Sequence, residues 1–170
     1  MATTILRPTG DVKADWTEDA VGTAWSKLDD DVLQPTAPTT GSDRITTTGN
    51  GTICTLSFGT FTLGAQKVTS VTLWVYGQAV DGSNFYNCTV SIPNIQAGTL
   101  ASAAYTSASF GWVSGTGTRP ITQAQLDGIE VGLTSAGATG TREIDAAYLE
   151  VVTKNRRPNR IGGRRRFFRG

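Results

Sequence analysis

Short stretches in which apolar and polar residues alternate, punctuated by turn-forming residues, run through most of this chain. A period of two places alternate side chains on opposite faces of an extended strand. Residues 52–58 set Cys54, Leu56 and Phe58 on one face, with Thr55 and Ser57 on the other. Residues 67–77 set Val71, Leu73 and Val75 against Thr72, Trp74 and Tyr76. Residues 84–92 align Tyr86, Cys88, Val90 and Ile92, and Pro93 ends that strand. Ile129, Val131 and Leu133 alternate with Glu130 and Gly132, and residues 142–152 read as a last strand. Shorter strands are expected at 3–6, stopped by Pro8 and Gly10, at 44–48 and at 99–106. Gly49-Asn50-Gly51 carries a strong turn signal between strands, and Asp81-Gly82 reads as a second hairpin turn.

About eight short strands argue for an antiparallel sandwich or barrel. No helical pattern of ten residues or more separates them, which argues against βαβ units. Thr122 and Gln125 have capping-box spacing, so one helical turn is expected over 123–127. Residues 11–42 are less regular, with Trp16 and Trp25 as core anchors. Exposed loops are expected at Gln34-Pro35-Thr36-Ala37-Pro38 and around Gly111 to Thr118. The chain of 170 residues is long enough for one domain with its own core. Charged residues are 17% of it, against roughly 25% in soluble domains, and Thr and Gly in their place disfavour helices.

The formal net charge of +1 conceals a division. Residues 154–170 hold eight basic side chains and no acid; the other 153 residues hold seven basic and fourteen acidic ones, a net of −7. The chain therefore divides into a β-domain over 1–153 and a basic C-terminal arm over 154–170. Pro158 and Gly162-Gly163 break any helix in the arm, so it is expected to be extended and flexible on its own.

Much chemistry is excluded by composition. There is no histidine, hence no Ser-His-Asp or Cys-His arrangement and no imidazole metal ligand. No phosphate-binding glycine loop or nucleophile elbow occurs. Two cysteines, Cys54 and Cys88, cannot make a structural zinc site. Both fall in strands and could face each other across a sheet, or simply be small buried residues. The Asp29-Asp30-Asp31 run lacks the spacing of a calcium loop and reads as a solvated acidic loop. Carboxylates such as Glu130, Glu143 and Asp145 sit in no context that marks a catalytic pair. The expectation is a protein that is not an enzyme and has no cofactor. No run of 18 apolar residues occurs, so no membrane partner is expected. The N-terminal stretch has no basic-then-apolar leader pattern, so a cytoplasmic origin is expected.

Two candidate binding features remain. Trp74 and Tyr76, with Tyr105 and Trp112 further on, could form a surface recognition patch on which a sugar stacks; the alternative is burial. The arm offers Arg156, Arg157, Arg160, Arg164, Arg165, Arg166 and Arg169 with Phe167 and Phe168. Arg makes bidentate contacts to carboxylates or phosphates. Nucleic acid, an acidic protein surface and solvent are all open to it, and the paired phenylalanines favour protein. One version has the arm of one copy on the acidic body of the next.

Four stretches carry a resemblance: TTILRPTGDV with Asp15-Trp16-Thr17, FTLGAQKVTSVTLWVYGQA at 61–79, ITQAQLDGIEVGL at 121–133 and TREIDAAYLEVV at 141–152. In these the chain resembles small jelly-roll proteins of tailed-bacteriophage virions. Residues 80–120 and the arm lie outside the pattern. The resemblance implies an antiparallel jelly-roll sandwich and a structural role as head decoration or spike, neck or collar protein, or minor tail component. It implies other virion proteins as partners, a homo-oligomer within the assembly, and a virion location after assembly in the host cytoplasm. Similar sandwiches also bind carbohydrates, which keeps a receptor-binding module open.

Overall fold

A computed structural model of the chain describes residues 1–18, 22–29, 31–38, 44–79, 85–91, 99–105, 111–118, 120–136 and 140–156, with backbone alone at 85–91, 99–105, 113 and 136. Among these residues the chain forms β1 (Ala2–Leu6), β2 (Pro8–Ala14), β3 (Thr17–Glu18), β4 (Ile45–Thr47), β5 (Ile53–Phe58), β6 (Gln66–Ala79), β7 (Phe85–Ser91), β8 (Thr99–Tyr105), β9 (Gly111–Gly117), β10 (Glu130–Ala136) and β11 (Arg142–Asn155). The helical pieces are a 3-10 turn at Trp25–Lys27 and α1 (Gln123–Asp127). Thr122 and Gln125 close a capping box at the start of α1, as their spacing predicts.

Among the described residues every ladder is antiparallel, and there are two sheets. The front sheet runs β3-β4-β11-β6-β9, with β1 also on β11; the back sheet runs β2-β5-β10-β7-β8. From β4 onward the chain crosses between sheets at every connection except β7–β8, so that β4-β11-β6-β9 faces β5-β10-β7-β8. That order of eight strands is the jelly roll. The three N-terminal strands extend it at one side.

Three local expectations change. Pro8 does not stop a lone strand but marks a corner: β1 ends on the front sheet and β2 begins on the back sheet. There β2 is an edge strand, where a missing N–H is tolerated. Residues Gly111–Gly117 are strand rather than loop. Glycine weakens strand preference, but the register sets Trp112 against Tyr76 and Val113 against Val75, and pairing with β6 prevails. Asp81-Gly82 itself lies outside the described residues. The strands on either side of it, β6 and β7, belong to different sheets and do not pair with each other, and the same holds for β4 and β5 on either side of Gly49-Asn50-Gly51, so neither pair is a hairpin.

The aliphatic phase of each strand points between the sheets. Val68, Val71, Leu73 and Val75 of β6 and Leu149 and Val151 of β11 meet Cys54, Leu56 and Phe58 of β5 and Val131 and Leu133 of β10. Trp16 is buried with them, and Trp25 packs half-buried at the rim. The central strand is β11. Along one edge β6 pairs with it from Arg142 to Asn155. Its other edge is filled in pieces: β4 at Arg142–Ile144, β1 at Leu149–Thr153, and between them Ala147 N–H donating to the Leu28 carbonyl at 3.2 Å. Register on β6 skips Asp145, a bulge that turns its carboxylate out of the ladder's phase.

Cys54 and Cys88 share one register line, but Leu133 of β10 stands between them. Two strand spacings, about 9.6 Å, exceed the roughly 7 Å that a disulfide spans between Cα atoms. Cys54 is buried and free, and burial together with Asp11, Glu18 and Asp15 pushes its thiol up to about 12. In a Cys88→Ser variant at pH 8, Cys54 is expected to resist a thiol reagent until denaturant is added. Rapid labelling of the folded chain would contradict this packing.

Candidate functional site

The polar phase of β6 and β11 faces outward from the front sheet, and it is aromatic. Trp74 lies against Tyr148 with ring centroids 6.2 Å apart and an interplanar angle of 22°. Trp112 meets Tyr148 edge-on at 5.4 Å and Tyr76 at 5.3 Å. The guanidinium of Arg7 sits 5.1 Å from the centre of the Tyr148 ring, a cation–π contact.

This cluster is not a bare platform. Residues 31–38 pass over it and are tied down by backbone atoms. The Gln34 N–H donates to the Tyr148 hydroxyl at 3.3 Å, and Trp112 Nε1–H donates to the Thr36 carbonyl at 2.9 Å. Arg7 adds two bonds to the Val32 carbonyl, each 3.2 Å, and an ion pair to the exposed Asp31 at 3.5 Å. Tyr148 is 2% exposed and Tyr76 8% exposed, whereas Trp74 and Trp112 are half-buried. Burial raises the Tyr148 phenol above its ordinary value, against the opposing effect of the Gln34 bond. Burial also raises that of Tyr76, with Asp145 adding to it. Trp74 Nε1 is buried and has no hydrogen-bond acceptor.

Of the four aromatics singled out in the sequence, the structure brings Trp74, Tyr76 and Trp112 together. The Tyr105 side chain lies outside the described residues, although its backbone pairs with Tyr86 on the back sheet. Tyr148 and Arg7 were missed. The signal for Tyr148 was present, since it stands in the polar phase of β11 as Trp74 does in β6, and the two are register partners.

Beside the aromatics, charged groups lock β4 to β11. Arg44 bridges Glu143 at 3.1 Å and Asp145 at 3.6 Å, and Gln78 also donates to Glu143. The side chains of Glu143 and Asp145 are 16% and 3% exposed, so the guanidinium compensates carboxylates largely withdrawn from water. Among the described residues there is no group of three or more side chains placed to hold a metal ion. Asp29 and Asp31 are described, and Asp30 is not.

The base of the arm is at the far end of β11. The strand runs to Asn155, and Arg156 N–H then donates to the Ala65 carbonyl at 3.0 Å. Lys154 stands directly opposite Lys67 in the ladder, and both are exposed. Like charges in that relation repel. A pocket of about 220 Å³ opens there, lined by Met1, Ala2, Gln66, Thr153, Lys154 and Asn155. The remaining arm residues, Arg157, Arg160, Arg164, Arg165, Arg166, Phe167, Phe168 and Arg169, lie outside the described residues.

The fold and the site define an antiparallel jelly-roll domain with a covered aromatic face and a basic point of chain exit. No protein-family model and no curated protein matches the chain. Similar solved structures include a family two carbohydrate esterase from Cellvibrio japonicus, at 11% identity and a TM-score of 0.35. That match covers 68% of this chain and 28% of the esterase, so the chain spans less than a third of it. Another is the K3 cleaved adhesin domain of Lys-gingipain from Porphyromonas gingivalis W83, at 15% identity and a TM-score of 0.42. It covers 88% of this chain and 99% of that domain. Likeness at this level assigns no activity.

If Trp112 holds residues 31–38 by its indole N–H, Trp112→Phe keeps an aromatic ring, a smaller one, and loses the bond. A lost hydrogen bond of about 1 kcal/mol corresponds to roughly five-fold faster local opening. Hydrogen exchange over 31–38 is expected to quicken by that factor, with the core amides of β6 and β11 unchanged. Exchange at the wild-type rate would mean that the segment is held by something else.

Proposed function

We propose that this chain is a non-enzymatic structural protein of a tailed-phage virion, a rigid jelly-roll block fastened to neighbouring virion proteins by its Arg-rich arm. The virion setting rests on the sequence resemblance over 61–79, 121–133 and 141–152. The observation that carries the anchoring role is where the arm leaves the domain. It continues directly from β11, which is hydrogen-bonded to β6 on one side and to β4 and β1 on the other. A pull on the arm is therefore a shear load on the central strand of the front sheet, shared by ladders on both edges. An arm hung from a peripheral loop would load only that loop.

The charges at the exit support an acidic partner. Lys67 and Lys154 face each other and Arg156 follows, so the repulsion between them is relieved when carboxylates dock there. Phe167 and Phe168 suit a protein groove better than a phosphate backbone. Nucleic acid is the other candidate for so basic a segment, and its binding would fall steeply with salt through Arg164, Arg165 and Arg166.

A carbohydrate- or receptor-binding role is the second reading. Its support is the half-buried Trp74, whose indole N–H lacks an acceptor, although that nitrogen is buried and a sugar hydroxyl would reach it only after the covering segment moved. Against it, Tyr76 is buried and the Trp112 N–H is already committed to Thr36. The anchoring reading needs no such rearrangement.

Deletion of residues 157–170 leaves Lys154, Asn155 and their pairing with β6 in place. The truncated chain is expected to melt at the wild-type temperature and to be absent from purified particles. Incorporation at the wild-type level would remove the anchor from the account.

A further inference from the structure

The segment that covers the aromatic face is held there almost entirely by main-chain groups. The Thr36 carbonyl accepts from Trp112 Nε1–H, the Gln34 N–H donates to the Tyr148 hydroxyl, and the Val32 carbonyl accepts twice from Arg7. Residues 33–37 are exposed, and of residues 31–38 Pro38 alone is buried. The segment also bonds to itself, the Thr36 N–H donating to the Leu33 carbonyl at 3.1 Å, so it forms a compact turn. A unit with so little buried side chain can lift without disturbing the core between the sheets.

The face itself sets four hydrogen-bonding side chains among aromatic rings. Arg7, Trp112 and Trp74 offer N–H groups, and Tyr148 offers a hydroxyl. The turn occupies three of the four. The fourth, Trp74 Nε1–H, is buried and has no acceptor. A buried donor without a partner is rare and lowers stability, so its presence in this cluster is informative. Trp74 stacks on Tyr148, the ring to which the turn is tied. The carboxylates of Glu143 and Asp145 beside the cluster are met by Arg44 and do not call for a cation.

We propose that this face is a gated saccharide site, and that residues 31–38 occupy it as a built-in stand-in for the ligand. A pyranose ring has an apolar C–H face to lie on an indole and a rim of hydroxyls that both accept and donate. Its hydroxyls can accept from Arg7 and Trp112 and bond the Tyr148 phenol, the roles that the turn's carbonyls and amide now fill. They also bring what the turn lacks, an acceptor for Trp74 Nε1–H. A purely apolar ligand would leave all four groups unpaired. A free peptide would only repeat the turn's own bonds, against a competitor tethered in the same chain at high effective concentration. The inference rests on the carbohydrate reading above and adds its regulation: apparent affinity is the intrinsic affinity scaled down by the fraction of molecules in which the turn has lifted. It is independent of the arm.

The test uses the full chain with cellohexaose, maltohexaose and chitohexaose as probes, read by calorimetry and by hydrogen exchange. At least one probe is expected to bind and, by displacing the turn, to quicken exchange over 31–38 while the core amides of β6 and β11 stay protected. Pro35→Gly combined with Thr36→Gly loosens the turn through backbone entropy and leaves the face untouched, so binding is expected to tighten roughly ten-fold. Trp74→Phe keeps a ring against Tyr148 and removes the N–H, and binding is expected to weaken roughly five-fold. Binding of none of the probes, by wild type or by the loosened variant, would overturn the site and the carbohydrate reading together. Equal affinity in wild type and loosened variant, with exchange over 31–38 unchanged, would leave a carbohydrate role standing and overturn the gate. Affinity unaffected by Trp74→Phe would overturn the placement of the sugar on this face.

Discussion

The ladder between β6 and β11 is the constraint on which the remainder of the molecule depends. Both strands are fourteen residues long, and each presents one aliphatic and one aromatic or polar face. Their inward faces supply one wall of the core. Their outward faces bring Trp74 and Tyr148 together as register partners, and so create the surface that residues 31–38 cover. The ladder also fixes where the chain leaves the domain. Without this one pairing there is no front sheet, no aromatic cluster and no firm root for the arm.

A bulge reconciles these roles. A long strand with strict alternation would keep its phase from end to end. At Asp145 one extra residue resets it, so that Ile144 below and Leu149 and Val151 above all reach the core. The displaced backbone leaves a gap between β4 and β1, which the Leu28 carbonyl fills by accepting from Ala147. The displaced carboxylate is met by Arg44. The irregular N-terminal third of the chain is therefore fitted to a defect in the central strand, and its course follows from that defect.

The sequence made the strands legible where the alternation was clean, as at Cys54-Leu56-Phe58 and Val71-Leu73-Val75, because period two is a local signal. It concealed β9, since three glycines mask a strand that is held by its partner and not by propensity. It concealed the Asp145 bulge, which has no compositional signature. Gln34 to Pro38 read as an exposed loop, and residues 34–37 are exposed; what the sequence hid is its tether to the front sheet, made by backbone carbonyls and amides with side chains more than seventy residues away. Trp74, Tyr76 and Trp112 do come together, but whether a polar-phase Trp is bare or covered depends on such long-range contacts. The charge division needed no structure. What the fold adds is that the basic segment continues a central strand, with Lys67 and Lys154 paired at its base.

The central proposal is that the arm holds on to protein. A photoreactive amino acid at Phe167, activated in the assembled particle, reads that contact directly. The account predicts crosslinks to an acidic surface of a neighbouring protein, whether another virion component or a second copy of this chain. Crosslinks to packaged nucleic acid, or no crosslink at all in particles that contain the chain, would contradict it.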